Sequence, residues 1–97
     1  HKLDVKQLYY VESQGHNLTF HTAEGELTSS GSLQETENHL AADNFFRCNK
    51  GYLVNLEHVD SVNGDDVLVH GERLALSRTR RKAFLDALND YINGVGC

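Results

Sequence analysis

The chain has 97 residues, of which 39% are hydrophobic and 24% charged, and these values suit one globular domain and exclude a disordered tail. Its formal net charge of −5 argues against a protein that binds polyanions over its whole surface. No apolar run approaches the ~18 residues of a membrane span, and no signal-peptide pattern opens the chain. A start at His1, in a chain without methionine, predicts a piece of a longer protein with a preceding segment.

Alternation of polar and apolar residues predicts short β-strands through most of the chain. The turns between them are rich in polar residues and glycine, and Asn63-Gly64 is the strongest two-residue hairpin signal. Hairpin connections of this kind predict a mainly β fold and not a βαβ arrangement. The predicted strands in these regions are residues 8–11, 18–21, 27–30, 59–62, 67–69 and 73–76.

Two helices interrupt the strands. Ser32 and Glu35, at the spacing of a capping box, begin the first helix, which presents Leu33 and Leu40 on one side. The second helix is predicted over residues 79–92, where an apolar stripe favours packing against the core. The members of that stripe are Phe84, Leu85, Leu88, Tyr91 and Ile92.

The stretch FFRCNKGYLVN, residues 45–55, places polar side chains between aromatic and aliphatic ones. We interpret it as an edge strand that bulges at Gly51, so that the donors of Arg47, Asn49 and Lys50 project together. Arginine and lysine suit guanine or phosphate oxygens, and asparagine suits adenine or phosphate. Intramolecular pairing of these groups is the alternative.

Cys48 and Cys97 do not form a disulfide framework by their spacing, which favours a reducing, cytoplasmic compartment. Cys48 within an aromatic strand is predicted to be a small buried residue, with a redox role as the alternative. The six histidines lack metal-ligand spacing such as HExxH, and no Ser-His-Asp or Cys-His signature occurs. We therefore predict no metal, no cofactor, no catalytic residue and no enzymatic activity.

Positive charge is concentrated in the second half of the chain. Residues 1–46 carry a net charge of −5, residues 47–97 balance to zero, and residues 73–82 hold five bases and no acid. Arg78 and the bases that follow it lie at the start of the second helix, where the helix dipole disfavours cations. A bound phosphate would offset this cost, whereas the alternative is a solvated face whose cations pair with Asp86 or Asp90. His16 and Asn17, in a separate turn, are a third donor cluster.

The segment FFRCNKGYLVNLEHV, residues 45–59, resembles the signature of the LytTR family, bacterial DNA-binding domains usually fused behind a receiver domain. LALSRTRRKAF is similar to the closing strand of that family and its following Ser-Arg-rich segment. YYVESQGHNLTFHT resembles its first hairpin, and GSLQETENHL resembles its connecting helix. The resemblance covers about residues 4–92, in the right order.

The resemblance implies a mainly β fold of about ten short strands in hairpins and small sheets, with one short connecting helix and a C-terminal helix. Residues 1–97 would form a single domain of a transcription regulator in a two-component system, behind a receiver or sensor domain. Loops would enter successive major grooves of double-stranded DNA at direct-repeat promoter sites. The missing N-terminal segment would supply the dimer contact.

By residue type and by match to the family motif, the base-reading residues are His16, Asn17 and Arg78. The predicted contacts to phosphate or backbone are Arg47, Asn49, Lys50, Arg80, Arg81 and Lys82. Gly51 stands where the family often has serine, so one hydroxyl contact to a phosphate is absent. The competing interpretation is a β-rich protein-interaction module whose basic edge docks an acidic partner.

Overall fold

The structure, a computed structural model, describes residues 4–94, so the predictions on His1 and Cys97 fall outside the described part. Within residues 4–94 it has eight strands and two α-helices, which confirms the mainly β prediction with fewer strands than the ten expected. In chain order these are β1 Leu8–Gln14, β2 Asn17–Thr22, β3 Gly25–Ser30, α1 Leu33–Leu40, β4 Phe45–Asn49, β5 Tyr52–Asn55, β6 Val59–Asn63, β7 Asp66–Val69, β8 Glu72–Ala75 and α2 Arg78–Gly94. Short 3-10 turns occupy Val5–Gln7, Ala41–Asp43 and Leu56–His58.

The strands form two antiparallel sheets. One has five strands in the order β3-β2-β1-β5-β4, and the other has three in the order β6-β7-β8. All strand pairings join strands that are consecutive in sequence, except the pairing of β1 with β5 at the centre of the larger sheet. The turn between β1 and β2 contains Gly15 at φ 65°, a left-handed conformation that glycine adopts without strain.

Two hydrophobic clusters hold these layers together. The larger lies between the two sheets and α2, and the smaller lies between the five-stranded sheet and α1. Phe84 of α2 is fully buried in the larger cluster, as its place in the apolar stripe predicts. Leu88 and Tyr91 of the predicted stripe also pack against this cluster, whereas Leu85 is half-buried outside it and Ile92 is 61% exposed.

The structure corrects the interpretation of residues 45–55 as one strand bulged at Gly51. They form a hairpin in which β4 is an edge strand, Lys50 and Gly51 make the turn, and β5 returns. The bulge lies instead between Arg47 and Asn49. The Asn49 side chain accepts a hydrogen bond from the backbone N of Gly51 at 2.7 Å. This side-chain hydrogen bond closes the turn, which therefore lacks the two-residue sequence signal of other hairpins.

Both helices begin within one residue of the predicted positions. Ser32 Oγ accepts a hydrogen bond from the backbone N of Glu35 at 3.1 Å, the N-cap contact that the sequence predicts. Helix α2 begins at Arg78 and has no acidic residue in its first turn. The hairpin signalled by Asn63-Gly64 is present, with its turn at Gly64 and Asp65.

Candidate nucleic-acid interface

Two of the polar turns lie at the same end of the five-stranded sheet. β1 and β5 are antiparallel neighbours, and the backbone N of Ser13 donates to the backbone O of Gly51 at 2.9 Å. The β1–β2 turn, which carries His16, therefore lies on the same side as the β4–β5 turn, which carries Lys50. Because the strand order is β2-β1-β5-β4, the two turns are about two strand spacings, ~10 Å, apart.

The start of α2 is attached to the second of these turns. The backbone N of Ser77 donates to the backbone O of Cys48 at 2.8 Å, next to the bulge in β4. Asn49 Nδ2 donates to the backbone O of Ala75 at 2.6 Å. Arg78, the first residue of α2, is thereby brought to the same end of the molecule as the two turns.

Five predicted site residues have side chains that make no hydrogen bond or ion pair within residues 4–94. All of them lie in the two turns, at the first residue of β2 or at the start of α2, and all but the half-buried Arg80 are exposed. We call this set the candidate interface. Its members are His16, Asn17, Lys50, Arg78 and Arg80.

Two other predicted contacts are engaged inside the protein. Arg47 is 12% exposed, and its Nε lies 3.3 Å from Glu37 Oε1 of α1. The two side chains therefore form an ion pair, but the Arg47 Nε–H group is not aligned for a hydrogen bond. Asn49 uses its oxygen for Gly51 and its nitrogen for Ala75. Arg47 therefore joins β4 to α1, and Asn49 closes the β4–β5 turn and holds it to β8, so neither side chain is a free donor.

The last two predicted contacts lie on α2 and are partly engaged. Arg81 Nη1 donates to the backbone O of Gly64 and lies 3.6 Å from Asp65 Oδ1, while 40% of the side chain stays exposed. Lys82 Nζ lies 3.0 Å from Asp86 Oδ2 and is 88% exposed. The pairing with Asp86, raised as an alternative from the sequence, is thus present for Lys82.

Cys48 lies beneath the candidate interface and is fully buried, as predicted from the sequence. Burial raises the pKa of its thiol to about 12, while the nearby Arg80 guanidinium opposes that rise only in part. The thiol is therefore protonated at neutral pH, and a buried protonated thiol is a poor nucleophile. This geometry supports a packing role for Cys48.

The β6–β7 turn lies beside the start of α2, a contact that no sequence pattern predicts. The backbone N of Leu76 donates to the backbone O of Asp65 at 2.7 Å, and Arg81 reaches the same turn. The Asn63-Gly64 signal located this turn along the chain. No local pattern shows that it meets the start of α2, because that contact is formed only when β7 pairs with β8, whose end leads into α2.

Among residues 4–94, no group of three or more His, Cys, Asp or Glu side chains is placed to hold a metal ion. In the same range, no helix is both long enough and apolar enough to cross a membrane.

Comparison with known proteins decides the family. Residues 1–89 match the LytTR family, described as the LytTr DNA-binding domain. The chain belongs to the LytTR family. Its structure is similar to that of a LytTr DNA-binding domain from Bacillus cereus, with a TM-score of 0.77 and 26% identity, over 89% of this chain and 84% of that one.

The sequence is also 37% identical over 57 residues to the CO-responsive transcriptional regulator RcoM of Rhodospirillum rubrum. The match covers 59% of this chain and 24% of that regulator, so the chain spans about a quarter of the relative's length. LytTR membership makes this chain a DNA-binding domain of a transcription regulator, with double-stranded DNA as its partner. The donors of the candidate interface are exposed in a manner that suits such a partner.

Proposed function

We propose that this LytTR domain binds specific sequences of double-stranded DNA through the candidate interface. His16 and Asn17, from the β1–β2 turn, and Arg78, from the start of α2, contact base edges in successive major grooves. Lys50 and Arg80 contact phosphates between them. Base contacts then supply the sequence preference, and phosphate contacts fix the register of the domain on the duplex.

The observation that carries this proposal is the collection of unpaired donors at one end of the sheet. Although the chain has a net charge of −5, Lys50, Arg78 and Arg80 pair with no carboxylate in residues 4–94. The positive end of the α2 dipole adds to their charge. A polyanion placed there offsets this repulsion and releases counterions, which favours binding.

The chemistry of the base-reading side chains suits the major groove. Arginine forms two hydrogen bonds with O6 and N7 of guanine, and asparagine forms two with N6 and N7 of adenine. Arg78 and Asn17 are exposed and have no intramolecular partner in residues 4–94, so neither contact requires an internal bond to be broken. His16 can donate to or accept from a base edge according to its tautomer.

Arg81 and Lys82 extend the phosphate contacts along α2. Lys82 can exchange its exposed i,i+4 pair with Asp86 for a phosphate at little cost, because such pairs contribute only about 0.3–0.5 kcal/mol. Arg81 keeps its bond to Gly64 and has further guanidinium N–H groups for a phosphate. Arg47, paired with Glu37 of α1, and Asn49, bonded to Gly51 and Ala75, are left out of the proposed contact surface.

The wider arrangement follows from the size of the domain and from its family. A single module of this size buries roughly 600–1,000 Å² of protein surface on DNA, which gives modest affinity alone. Two copies on direct-repeat half-sites, joined through an N-terminal receiver or sensor segment, bind with higher affinity. Binding of the first copy holds the second at a high effective concentration near its own half-site. The parent protein would then be a cytoplasmic response regulator with this domain as its output.

The test is an in-vitro selection on randomised duplex DNA, followed by titration of the enriched sequences. We expect a motif whose half-sites lie about one helical turn apart. Arg78→Ala should cost roughly 1–3 kcal/mol and relax the preference at one base pair. Arg73→Ala is the matched control, because Arg73 is an exposed arginine of β8 outside the candidate interface.

Two outcomes would contradict the proposal. Equal losses for Arg78→Ala on every sequence would make Arg78 a phosphate contact. Absence of any enriched motif at low salt, with weak binding that is indifferent to sequence, would favour the protein-interaction module with an acidic partner.

A further inference from the structure

The Asn49 amide joins two of the elements that carry the candidate interface. Its Oδ1 accepts from the backbone N of Gly51 at 2.7 Å, and its Nδ2 donates to the backbone O of Ala75 at 2.6 Å. The first bond closes the turn that presents Lys50. The second holds the end of β8, three residues before Arg78.

Backbone bonds complete the attachment of this segment. The backbone N of Leu76 donates to the backbone O of Asp65 at 2.7 Å, and the backbone N of Ser77 donates to the backbone O of Cys48 at 2.8 Å. Residues 75–77 are thus held at three successive positions between two hairpin turns. The link through Asn49 is the one among these that a side-chain substitution removes.

We propose that Asn49 is a positioning residue for DNA recognition, which fixes Lys50 and Arg78 at the relative position that the duplex requires. The inference rests on the proposed function and adds that the Asn49 amide acts through other residues, without touching DNA. Both hydrogen-bonding atoms of the amide already have partners at short distances. A site that is ordered before binding loses less conformational entropy when it meets its ligand.

A positioning role and a direct contact predict different losses. Non-specific binding depends on the number of cations near the phosphates, and the position of one arginine relative to one base matters little to it. Loss of the Asn49 link should therefore weaken binding to the selected sequence and leave binding to a scrambled duplex unchanged. Loss of a phosphate contact weakens both in parallel. Partial unfolding also weakens both equally, so the ratio of the two affinities isolates positioning.

The experiment compares the two affinities at one salt concentration for wild type, Asn49→Ala and Asn38→Ala. We expect Asn49→Ala to lower the ratio about tenfold, the scale of a misplaced base contact. Asn38 is a control amide on α1, where its Oδ1 accepts from Gln34 Nε2, and its loss should leave the ratio unchanged. In DNA-free protein, the Gly51 amide of Asn49→Ala should exchange faster, and the Arg78 backbone resonance should shift.

Asn49→Ser separates the two bonds of the amide. A serine hydroxyl can still close the turn onto the backbone N of Gly51, but it is too short to reach Ala75. This variant should fold and should still lower the ratio of the affinity for the selected sequence to that for the scrambled duplex about tenfold. It therefore gives a result even if Asn49→Ala fails to fold.

The outcomes separate this inference from the proposed function. A wild-type domain without sequence preference overturns the proposed function and this inference with it. A selective wild type whose ratio survives both Asn49 variants overturns only the positioning role. Parallel loss on both duplexes, with the ratio of the two affinities unchanged, is the result of a lost phosphate contact or of partial unfolding and also overturns the positioning role.

Discussion

Replacing Lys50 or Arg47 by glutamine removes one positive charge from the same hairpin, yet the structure predicts different consequences. Lys50 is exposed in the turn and has no side-chain partner in residues 4–94. Arg47 is 12% exposed and lies at 3.3 Å from Glu37. Lys50→Gln therefore removes one of the proposed phosphate contacts, whereas Arg47→Gln removes an ion pair that joins β4 to α1.

The magnitudes follow from these environments. Each neutralised phosphate contributes about −0.9 to the slope of log affinity against log salt. With Lys50, Arg80, Arg81 and Lys82 on phosphates, the slope is about −3.6, and Lys50→Gln reduces it to about −2.7. Arg47→Gln leaves the slope unchanged. It lowers the free energy of unfolding by about 1–2 kcal/mol, between the values for exposed and for buried ion pairs.

The assay is a fluorescence-anisotropy titration of the selected duplex at a series of salt concentrations, with urea unfolding of each variant alongside. Lys50→Gln should change the unfolding free energy by no more than about 0.5 kcal/mol, as for other exposed substitutions. An Arg47→Gln variant that reduced the slope as much as Lys50→Gln did, and left the unfolding free energy unaltered, would show that Arg47 contacts phosphate and does not join β4 to α1.

Three further predictions concern the ion pair between Asp65 and Arg81, the core and the buried thiol. Asp65→Asn should weaken DNA binding roughly threefold because Arg81 loses its orienting partner, while Asp66→Asn, with the same charge change, should not weaken it. Both are measured by anisotropy titration, and tighter binding by Asp65→Asn would contradict an orienting role for Asp65. Phe84→Ala should lower the free energy of unfolding by about 3–5 kcal/mol, measured by urea unfolding; a loss below 1 kcal/mol would contradict its place in the core. Because burial raises the pKa of Cys48 from 9.0 to about 12, the stability from its protonated thiol is complete below pH 9 and is lost as pH rises toward 12. Wild type should therefore lose stability above pH 9 more steeply than Cys48→Ala, and parallel pH profiles would contradict this.

Local patterns predicted the class of fold because each hairpin and helix carries its own signals. Ser32 and Glu35 gave the start of α1, and Asn63-Gly64 gave a hairpin within one residue of its turn. The β4–β5 hairpin was misread because its turn is closed by the Asn49 side chain. A polar residue followed by Lys50-Gly51 in an otherwise alternating stretch is equally typical of a bulge, so periodicity alone does not distinguish the two.

The site was predictable in its residue types but not in its internal pairing. Family resemblance and charge distribution indicated the two turns and the start of α2, which the structure brings to one end of the larger sheet. Which cations remain free depends on contacts between residues far apart in sequence. Glu37 reaches Arg47 only because α1 packs beside β4, and Asp65 reaches Arg81 only because β7 pairs with β8, whose end leads into α2.

We propose that the two turns and the start of α2 form one DNA-binding surface. This is tested by recording the backbone amide spectrum of the isotopically labelled domain while the selected duplex is added. We predict that the largest shifts fall together at residues 15–17, 50–51 and 78–82. Shifts confined to β3 or to the β6–β7–β8 sheet, with these three segments unmoved, would contradict the account.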